Sequence, residues 1–490
     1  MRLFGLNITR RNILGRGRRM VRSFAAALTP QWLAGWKWDG GFSNKEVKAG
    51  LQTTRSRSRD MFKNSAHYRR FIYLCQTNIV GDGFTFRSAP HDGNPGGTSW
   101  KLDDRASSFI EYHYNRWAQN ANWCDVAGDQ NIVEMDKMNV KSWKRDGEYF
   151  MLIDRHAQNP YGIALQCIRP DAVDHNYNTT MANKNTVIMG IEFDYFSGRA
   201  IACYVGTSVN YADYWNAGTP LKRYTADNFI HGYTKEEAGQ ARGITAGIAI
   251  LRKLKMLDDF DEAELVIAKD EACTVRTYYA PANRDGEILA LTDDEAGQLV
   301  QTKEPGQAEV LKEGWESKVQ TPQHPNREVT AFKNSMLRDI ASGANLEYAN
   351  FANDWNGVNY SSVRAGTISE RDAWKSDQNL YIQQCKSPVF LAWLDSFLSL
   401  SISGGYPIAK FDKFAEHLFR GRRWDWVDPL KDMRAAELAV KYGWKTDSQV
   451  TAEITNGNFD KNLEEIKRID ALKKGTSLEV IKNEQKTKTA

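Results

Sequence analysis

The chain contains none of the short motifs by which several common enzyme classes are recognised. Its sequence has no Gly-Lys pair, so the G-x-x-x-x-G-K-[ST] phosphate loop of ATP-driven motors is absent. The nucleophile motif G-x-S-x-G and the zinc motif H-E-x-x-H are also missing, and the 8 histidines include no pair four residues apart. The sequence therefore predicts that the protein is not an enzyme and needs no cofactor.

Cysteine pairs and long apolar runs are equally sparse. The 6 cysteines show no C-x-x-C spacing, so they predict reduced, buried thiols rather than a zinc site or a disulfide framework. The longest apolar run, Pro388 to Ile402, is too short to span a bilayer and contains Asp395. The arginine-rich N-terminus has no apolar core typical of a secretory signal. No membrane partner is expected.

A large excess of one charge sign is missing as well. The chain carries 65 Lys and Arg against 61 Asp and Glu, a net charge of +4. A protein that grips DNA tightly without regard to sequence has a strong basic excess, because each neutralised phosphate releases counterions. The near-neutral composition therefore gives no sign of such a binder, and it agrees with an ordinary soluble protein.

The most informative stretch that is present runs from Asn326 to Gly366. Its first part has the apolar spacing of one helix face, at Val329, Phe332, Met336, Leu337 and Ile340. The breaker residues Ser342 to Asn345 should end this helix. A polar turn with an Asn-Gly pair follows at 353–360, and a second, longer helical stretch comes after it. The sequence thus predicts helix, exposed polar loop and helix, without catalytic chemistry.

This order of helix, GANLEY, Asn-rich loop and NYSSVRAG resembles the portal proteins of tailed bacteriophages, specifically their lambda-like branch. Further segments are similar to motifs of the same family and occur in the family's order. They are IVGDGF at 79–84, RDGEYF at 145–150 with IRPD at 168–171, HGY at 231–233 with EAGQARGI at 237–244, and W-x-W-V-D-P at 424–429.

The resemblance implies an α+β fold of the portal type, with a β-rich wing, a helical stem, an α/β clip, a long channel-side helix and a helical C-terminal crown. The expected segments are a basic N-terminal arm at 1–60, the wing at 61–236, a first stem helix at 237–278, the clip at 279–325, a second stem helix at 326–343, the channel loop and long wing helix at 344–403, and the crown region with a flexible tail at 404–490.

The resemblance also implies a function. A portal protein forms a ring, here expected to be a dodecamer, at one capsid vertex, and double-stranded DNA passes through it during packaging and ejection. The implied partners are further copies of the chain, non-specific and transient double-stranded DNA, the terminase large subunit, the major capsid protein and scaffold, and head-completion or connector proteins. The implied location is the virion, after assembly in the host cytoplasm.

By the same resemblance, a channel loop should consist of Asp354, Trp355, Asn356, Gly357, Val358, Asn359, Tyr360 and Ser361. Lys333 and Arg338 on the second stem helix are further candidates for the channel surface. Short polar groups on a mobile backbone suit transient phosphate contact better than sequence readout. The alternative interpretation is a generic surface connection.

Two charged regions have more than one interpretation. The N-terminal residues could contact DNA or scaffold, or form a solvated arm and helix face; they include Trp32, Trp36, Trp38, Gly40-Gly41, Arg55, Arg57 and Arg59. An acidic group could hold a metal for phosphodiester cleavage, or form a solvated or intersubunit face; it comprises Asp258, Asp259, Asp261, Glu262 and Glu264. A nuclease-like DNA-processing enzyme and another ring-forming head or tail protein therefore remain as alternative functions.

Overall fold

The computed structural model describes residues 43–93, 100–206, 220–272, 276–279, 292–293, 299–300, 316–319, 327–357, 359–424, 429–455, 457 and 459–473. The N-terminal arm up to residue 42, most of the expected clip and the end of the expected tail lie outside these described residues.

Helices form the first part of the described chain, and capping residues set their ends. They are α1 (Ser43–Asn64), α2 (Ala66–Ile79), α3 (Asp104–Gln119), α4 (Ala121–Cys124) and α5 (Ile132–Asp146). The Ser65 side chain accepts a hydrogen bond from the Tyr68 amide and so begins α2. Asn131 and Glu134 form a capping box on α5, and Gly147 ends that helix with a left-handed φ of 95°. Between α2 and α3 lie β1 (Thr85–Ser88), β2 (His91–Asp92) and β3 (Lys101–Leu102).

Two antiparallel sheets follow α5. One contains β4 (Glu148–Asp154), β5 (Ala164–Ile168) and β11 (Phe229–Tyr233) in the order β11-β4-β5. The other has the order β10-β9-β8-β7-β6 and contains β6 (Thr179–Thr180), β7 (Thr186–Ile188), β8 (Ile191–Phe193), β9 (Ala200–Gly206) and β10 (Leu221–Thr225).

Strand β4 is buried on both faces and joins two hydrophobic clusters. Its alternate residues Tyr149, Met151 and Ile153 enter the main core. Phe150 and Leu152 point the other way, into a second cluster within the β-rich region. The near-continuous apolar run in EYFMLID follows from this double burial, because neither face of the strand meets solvent.

Helices α6 (Leu251–Ala272) and α7 (Arg327–Gly343) lie side by side. The ring centroids of Phe260 and Phe332 are 5.2 Å apart at their contact. Short described strands occur between the two helices in sequence: β12 (Arg276–Tyr279) pairs with β15 (Glu316–Val319), and β13 (Thr292–Asp293) pairs with β14 (Leu299–Val300).

The short α8 (Tyr348–Ala352) follows α7, and after a loop comes a long helix that enters the main core. The parts of this long helix are α9 (Tyr360–Tyr381), a π-helical turn at Ile382–Lys386, and α10 (Ser387–Leu398). Pro388 lies in the first turn of α10, where its missing N–H is tolerated. Phe390, Trp393 and Phe397 of α10 are fully buried.

The C-terminal region returns to the first helices. It contains α11 (Phe411–Phe414), β16 (His417–Arg420), α12 (Pro429–Lys441), α13 (Asp447–Thr455) and α14 (Phe459–Lys473). Strand β16 pairs antiparallel with β1. Trp424, the first residue of W-x-W-V-D-P, donates its indole N–H to the Asn78 side-chain oxygen at 2.9 Å, whereas 425–428 lie outside the described residues. Trp424 also packs against the main core, so this residue is engaged within the subunit.

Several helix ends differ from the sequence expectation. The helix predicted from residue 237 begins only at Leu251, because buried contacts hold the preceding backbone in turns. At Gly243, an added Cβ would come within 2.1 Å of the Gly147 carbonyl oxygen. The longer helix predicted after the loop begins at Tyr360, inside the segment 354–361 expected to be loop, because Asn359 caps it. By contrast, α7 ends at Gly343, where the breaker residues predict an end.

Candidate functional site

The polar loop between α8 and α9 is shaped by its own short side chains. Asn353 ends α8 in the left-handed region, with a φ of 55°. The Asp354 carboxylate accepts hydrogen bonds from the Asn356 backbone amide at 3.0 Å and from the Asn356 side chain at 2.9 Å. Gly357 follows with a φ of 69° and open space where a Cβ would lie. Asn359 then accepts from the Ser362 amide at 2.8 Å and begins α9.

The loop residues predicted from the sequence are mostly exposed. Asn356, Gly357, Asn359 and Ser361 are exposed, Trp355 is 52% exposed and Asp354 is partly buried. Tyr360 and Ser361 belong to the first turn of α9 rather than to the loop, because the Asn359 cap precedes them. Val358 and the side chain of Tyr360 lie outside the described residues.

Arg338 is tied to the start of this loop through an aromatic ring. Its guanidinium carbon lies 4.9 Å from the centroid of the Tyr348 ring. The Tyr348 hydroxyl donates to the Asp354 carboxylate at 2.8 Å. Hydrogen bonds from Asn356 and Tyr348, with Arg338 nearby, lower the pKa of Asp354. Arg338, Tyr348 and Asp354 therefore connect α7, α8 and the loop.

Lys333 is also engaged within the subunit. Its ammonium group lies 2.6 Å from the Asp261 carboxylate on α6. Lys253 of α6 forms a second ion pair with Asp339 of α7. Lys333 and Lys253 are therefore each paired with a carboxylate of the neighbouring helix within the subunit.

A buried carboxylate holds the segment before the loop against α9. Glu370 accepts hydrogen bonds from the Asn350 side chain at 2.7 Å, from the Trp374 indole N–H at 3.1 Å and from the Glu347 amide at 3.3 Å. Gly366 leaves room for the Glu347 side chain beside α9, because an added Cβ would come within 2.3 Å of the Glu347 carboxylate. The loop thus projects from a well-anchored base.

The largest ionic site lies elsewhere, around the fully buried Glu148 of β4. Arg242 contacts its carboxylate at 2.6 Å, and Arg55 contacts it at 2.7 Å. His231 lies 2.8 Å away, and the Gly243 amide donates at 3.1 Å. Although burial opposes ionisation, Arg242, His231 and Arg55 hold the pKa of Glu148 well below its usual value. Burial lowers the pKa of His231, although the hydrogen bond to Glu148 opposes this shift.

A second group of ion pairs extends this site to the surface. Arg59 contacts Asp146 at 2.9 Å and Asp171 at 2.5 Å. Arg55 reaches the same Asp171 at 3.2 Å. Arg55 is buried and Arg59 largely so, so these two side chains join α1 to the β-rich region and do not form a solvated helix face. Contact of the N-terminal region with DNA or scaffold stays a prediction.

The Glu148 site brings together four of the sequence motifs. RDGEYF supplies Asp146 and Glu148, IRPD supplies Asp171, HGY supplies His231, and EAGQARGI supplies Arg242. Sequence reasoning identified these motifs by resemblance but missed that their charged residues contact one another. The i, i+4 spacing of Arg55 and Arg59 on one helix face was the available local signal.

The sequence makes the acidic group on α6 a candidate metal site. No group of three or more His, Cys, Asp or Glu side chains among the described residues could hold a metal ion. In the acidic group on α6, Asp259 pairs with Lys255 at 2.5 Å and Asp261 pairs with Lys333. This arrangement favours the charged-face interpretation.

The cysteines fit the prediction of inert thiols, within the part of the chain that is described. Cys75, Cys124, Cys203 and Cys385 are buried and free, and Cys167 is free and partly buried; Cys273 lies outside the described residues. Burial raises the pKa of Cys75 to about 12. Such a thiol is a poor nucleophile at neutral pH. Within the same described residues, no helix is both long and apolar enough to cross a membrane.

Comparison with known proteins identifies relatives along most of the chain. The family model described as phage portal protein, lambda family, matches residues 29–378. The probable portal protein of Halomonas phage phiHAP-1 is 28% identical over 435 residues, which cover 86% of this chain and 81% of that protein. Portal protein B of Escherichia phage lambda is 22% identical over 433 residues, covering 80% of this chain and 78% of the relative. A chain in the solved neck of an empty gene transfer agent (GTA) particle has a TM-score of 0.43 and 12% identity, covering 87% of this chain and 98% of that one.

Proposed function

The chain belongs to the lambda family of phage portal proteins, and from this we propose that it forms the ring at one capsid vertex through which double-stranded DNA is packaged and later ejected. The match to the family model over residues 29–378 is the observation that carries this function. The ring, expected to be a dodecamer, would be built from one repeated contact between two different faces of neighbouring subunits.

We propose that the polar loop is the part of the subunit nearest the moving DNA. Trp355, Asn356, Gly357 and Asn359 are exposed and carry no formal charge, and the Asp354 carboxylate is already hydrogen-bonded within the subunit. Val358, Tyr360 and Ser361 complete the proposed channel segment. Uncharged amide groups contact phosphates only weakly, so DNA could slide past them without a large counterion-release term.

The internal pairing of the α6–α7 charges supports the same passive role. Lys333 and Arg338 were proposed as channel-facing cations, yet Lys333 pairs with Asp261 and Arg338 lies over Tyr348. A ring that repeated an unpaired lysine around a duplex would hold DNA by releasing one counterion per neutralised phosphate. Pairing each lysine within its own subunit reduces that grip.

The remaining partners follow from the proposed position in the particle. The region between α6 and α7, the proposed clip, would dock the terminase large subunit during packaging and head-completion or connector proteins afterwards. The β-rich region, the proposed wing, would face the major capsid protein and scaffold. The protein would assemble in the host cytoplasm and remain in the virion.

Electron microscopy of the purified full-length protein tests the proposed function. We expect closed rings with a central opening wide enough for duplex DNA. A stable monomer at micromolar concentration would contradict the proposal. Incubation of the same sample with duplex DNA and Mg²⁺ should leave the DNA intact, whereas cleavage lost in a single carboxylate variant would favour the nuclease alternative.

A second experiment separates the loop from ring assembly. Deleting Asn356 to Asn359 would also remove the α9 cap, so the better variant is Trp355→Ala combined with Asn356→Ala. We expect normal rings but reduced packaging or retention of DNA in assembled particles. Trp444→Ala, which alters a 78% exposed tryptophan after α12, is the matched control and should package normally.

A further inference from the structure

A cleft between α1 and the turns before α6 combines an apolar floor with an acidic rim. Its volume is about 240 Å³, and Val47, Leu51, Ile244 and Ile248 supply apolar lining. The rim of the cleft is formed by Glu46, Glu236 and Glu237. Pockets for drug-sized ligands measure roughly 300–1,000 Å³, so this cleft suits one or two side chains rather than a whole cofactor.

The three rim carboxylates are available for a cationic partner. All three side chains are exposed, and the described part of the chain provides none of them with a basic partner. The floor, in contrast, is only partly covered: Ile248 is 43% exposed at the mouth of the cleft. An aromatic or aliphatic side chain flanked by a basic residue matches both properties.

The N-terminal segment of the chain itself has this chemistry. Residues 36–38 read Trp-Lys-Trp, and residues 1–38 contain no acidic residue. The segment ends at Ser43, where α1 begins, three residues before Glu46 of the cleft rim. Asn44 fixes this entry point, since its side chain donates to the Gly239 carbonyl at 2.9 Å and accepts from the Ala241 amide at 2.8 Å.

The connection between this segment and α1 permits a reversal of direction. Gly40 and Gly41 lie between Trp38 and Ser43, and glycine pairs allow tight turns. The chain from Trp36 to Ser43 could span at most roughly 25 Å, at about 3.3–3.6 Å per residue. That reach returns Trp36 to the level of Val47 and Leu51, which lie one and two turns into α1.

We propose that the Trp36–Trp38 segment docks into this cleft of its own subunit, with an indole on the apolar floor and Lys37 near the glutamates of the rim. The docked segment anchors the arginine-rich residues 1–22 beside α1 and fixes where they leave the subunit. This inference does not depend on the proposed conduit function, because it concerns only contacts within one chain.

Site-specific photo-crosslinking in the full-length protein tests the docking. Trp36→p-benzoylphenylalanine retains an aromatic side chain at the probe position. After irradiation, mass spectrometry should find crosslinks to 46–54 or 236–248. Mixing ¹⁴N- and ¹⁵N-labelled subunits before assembly distinguishes crosslinks within a chain from those between chains, and we expect the former.

A charge-reversal series provides the control. Glu236→Arg combined with Glu237→Arg should lower the crosslink yield about two- to tenfold, the range expected from losing one or two surface ion pairs. Glu262→Arg, an equally exposed reversal on α6, should leave the yield unchanged. Crosslinks scattered over the surface, crosslinks only between subunits, or equal yields in both variants would each overturn the proposal.

Discussion

Replacing Arg242 with alanine should open the β-rich region of the fold while leaving the α6–α7 pair intact. The Arg242 side chain has no solvent exposure, contacts Glu148, and donates to the backbone carbonyls of Pro170, Val173 and Met189 at 3.1, 3.2 and 2.6 Å. Arg242→Ala would therefore remove one partner of a buried ion pair and the hydrogen bonds that three backbone carbonyls accept from it; the Pro170 carbonyl would keep the Val173 amide as a donor.

The magnitude follows from what remains after the substitution. Breaking a buried pair by removing one partner costs about 3–5 kcal/mol, and each stranded buried acceptor adds about 1–3 kcal/mol. Arg55 and His231 still contact Glu148, and water can enter the space left by the guanidinium. We therefore expect a local loss of about 3–5 kcal/mol in the free energy of opening, which is the contribution of the broken ion pair alone.

Hydrogen exchange measured by mass spectrometry is the appropriate assay, because a chain of 490 residues need not unfold in one step. Amides of β4 should exchange about a hundred to several thousand times faster in Arg242→Ala, since each 1.4 kcal/mol corresponds to tenfold. Arg252→Ala removes an exposed arginine of α6 and is the matched control. If both variants change β4 exchange by less than about threefold, the Glu148 site does not hold the β-rich region together.

Further substitutions address the loop, the α6–α7 pair, the buried lysine and pH. Tyr348→Phe removes the hydroxyl that bonds Asp354 but keeps the ring beside Arg338, so loop amides should exchange faster while rings still form; Tyr73→Phe, at an exposed tyrosine, should change neither. Asp261→Asn removes the partner of Lys333 and should increase both the retention of DNA and the salt dependence of that retention, measured as DNA release at rising ionic strength. An unchanged release profile would place Lys333 away from DNA. Lys386→Ala leaves the buried Asp136 without its cation and should lower local stability, measured by hydrogen exchange, by about 3–5 kcal/mol. Combining Lys386→Met with Asp136→Leu should recover most of that stability. If the double variant recovers none of it, the argument that the two charges stabilise each other is wrong. The pKa of His231 in the folded chain lies below its usual 6.5, so the unfolded chain binds the proton more readily as pH falls below about 6.5. The free energy of unfolding should therefore decline below that pH. A His231→Gln variant should lack this part of the dependence of stability on pH.

The sequence predicts local features well where a short pattern determines them. The apolar spacing from Val329 to Ile340 predicts α7, and the breaker residues predict its end at Gly343. The polar composition and the Asn-Gly pair predict the exposed loop. Each of these features depends on interactions within a few residues.

The failures all involve contacts between distant parts of the chain. Residues 237–250 contain a helical pattern, yet the packing of Gly243 against Gly147 and the burial of Arg242 hold them in turns. Arg55 looks like a surface charge until Glu148 and Asp171, which lie about a hundred residues away, are brought beside it. The partners of Lys333 and Arg338, Asp261 and Tyr348, likewise cannot be read from their own helix, and the placement of the two cations at the channel stays a prediction.

The π-helical turn at Ile382–Lys386 sets the rotational phase between α9 and α10. One residue corresponds to about 100° around a helix axis, so the extra residue of the wide turn determines which way every side chain of α10 faces. Deleting a single residue from the turn would favour an uninterrupted α-helix and would rotate Phe390, Trp393 and Phe397 away from their places in the core by about that angle. The packing of the core therefore constrains the number of residues in this turn as well as the identity of the residues on either side.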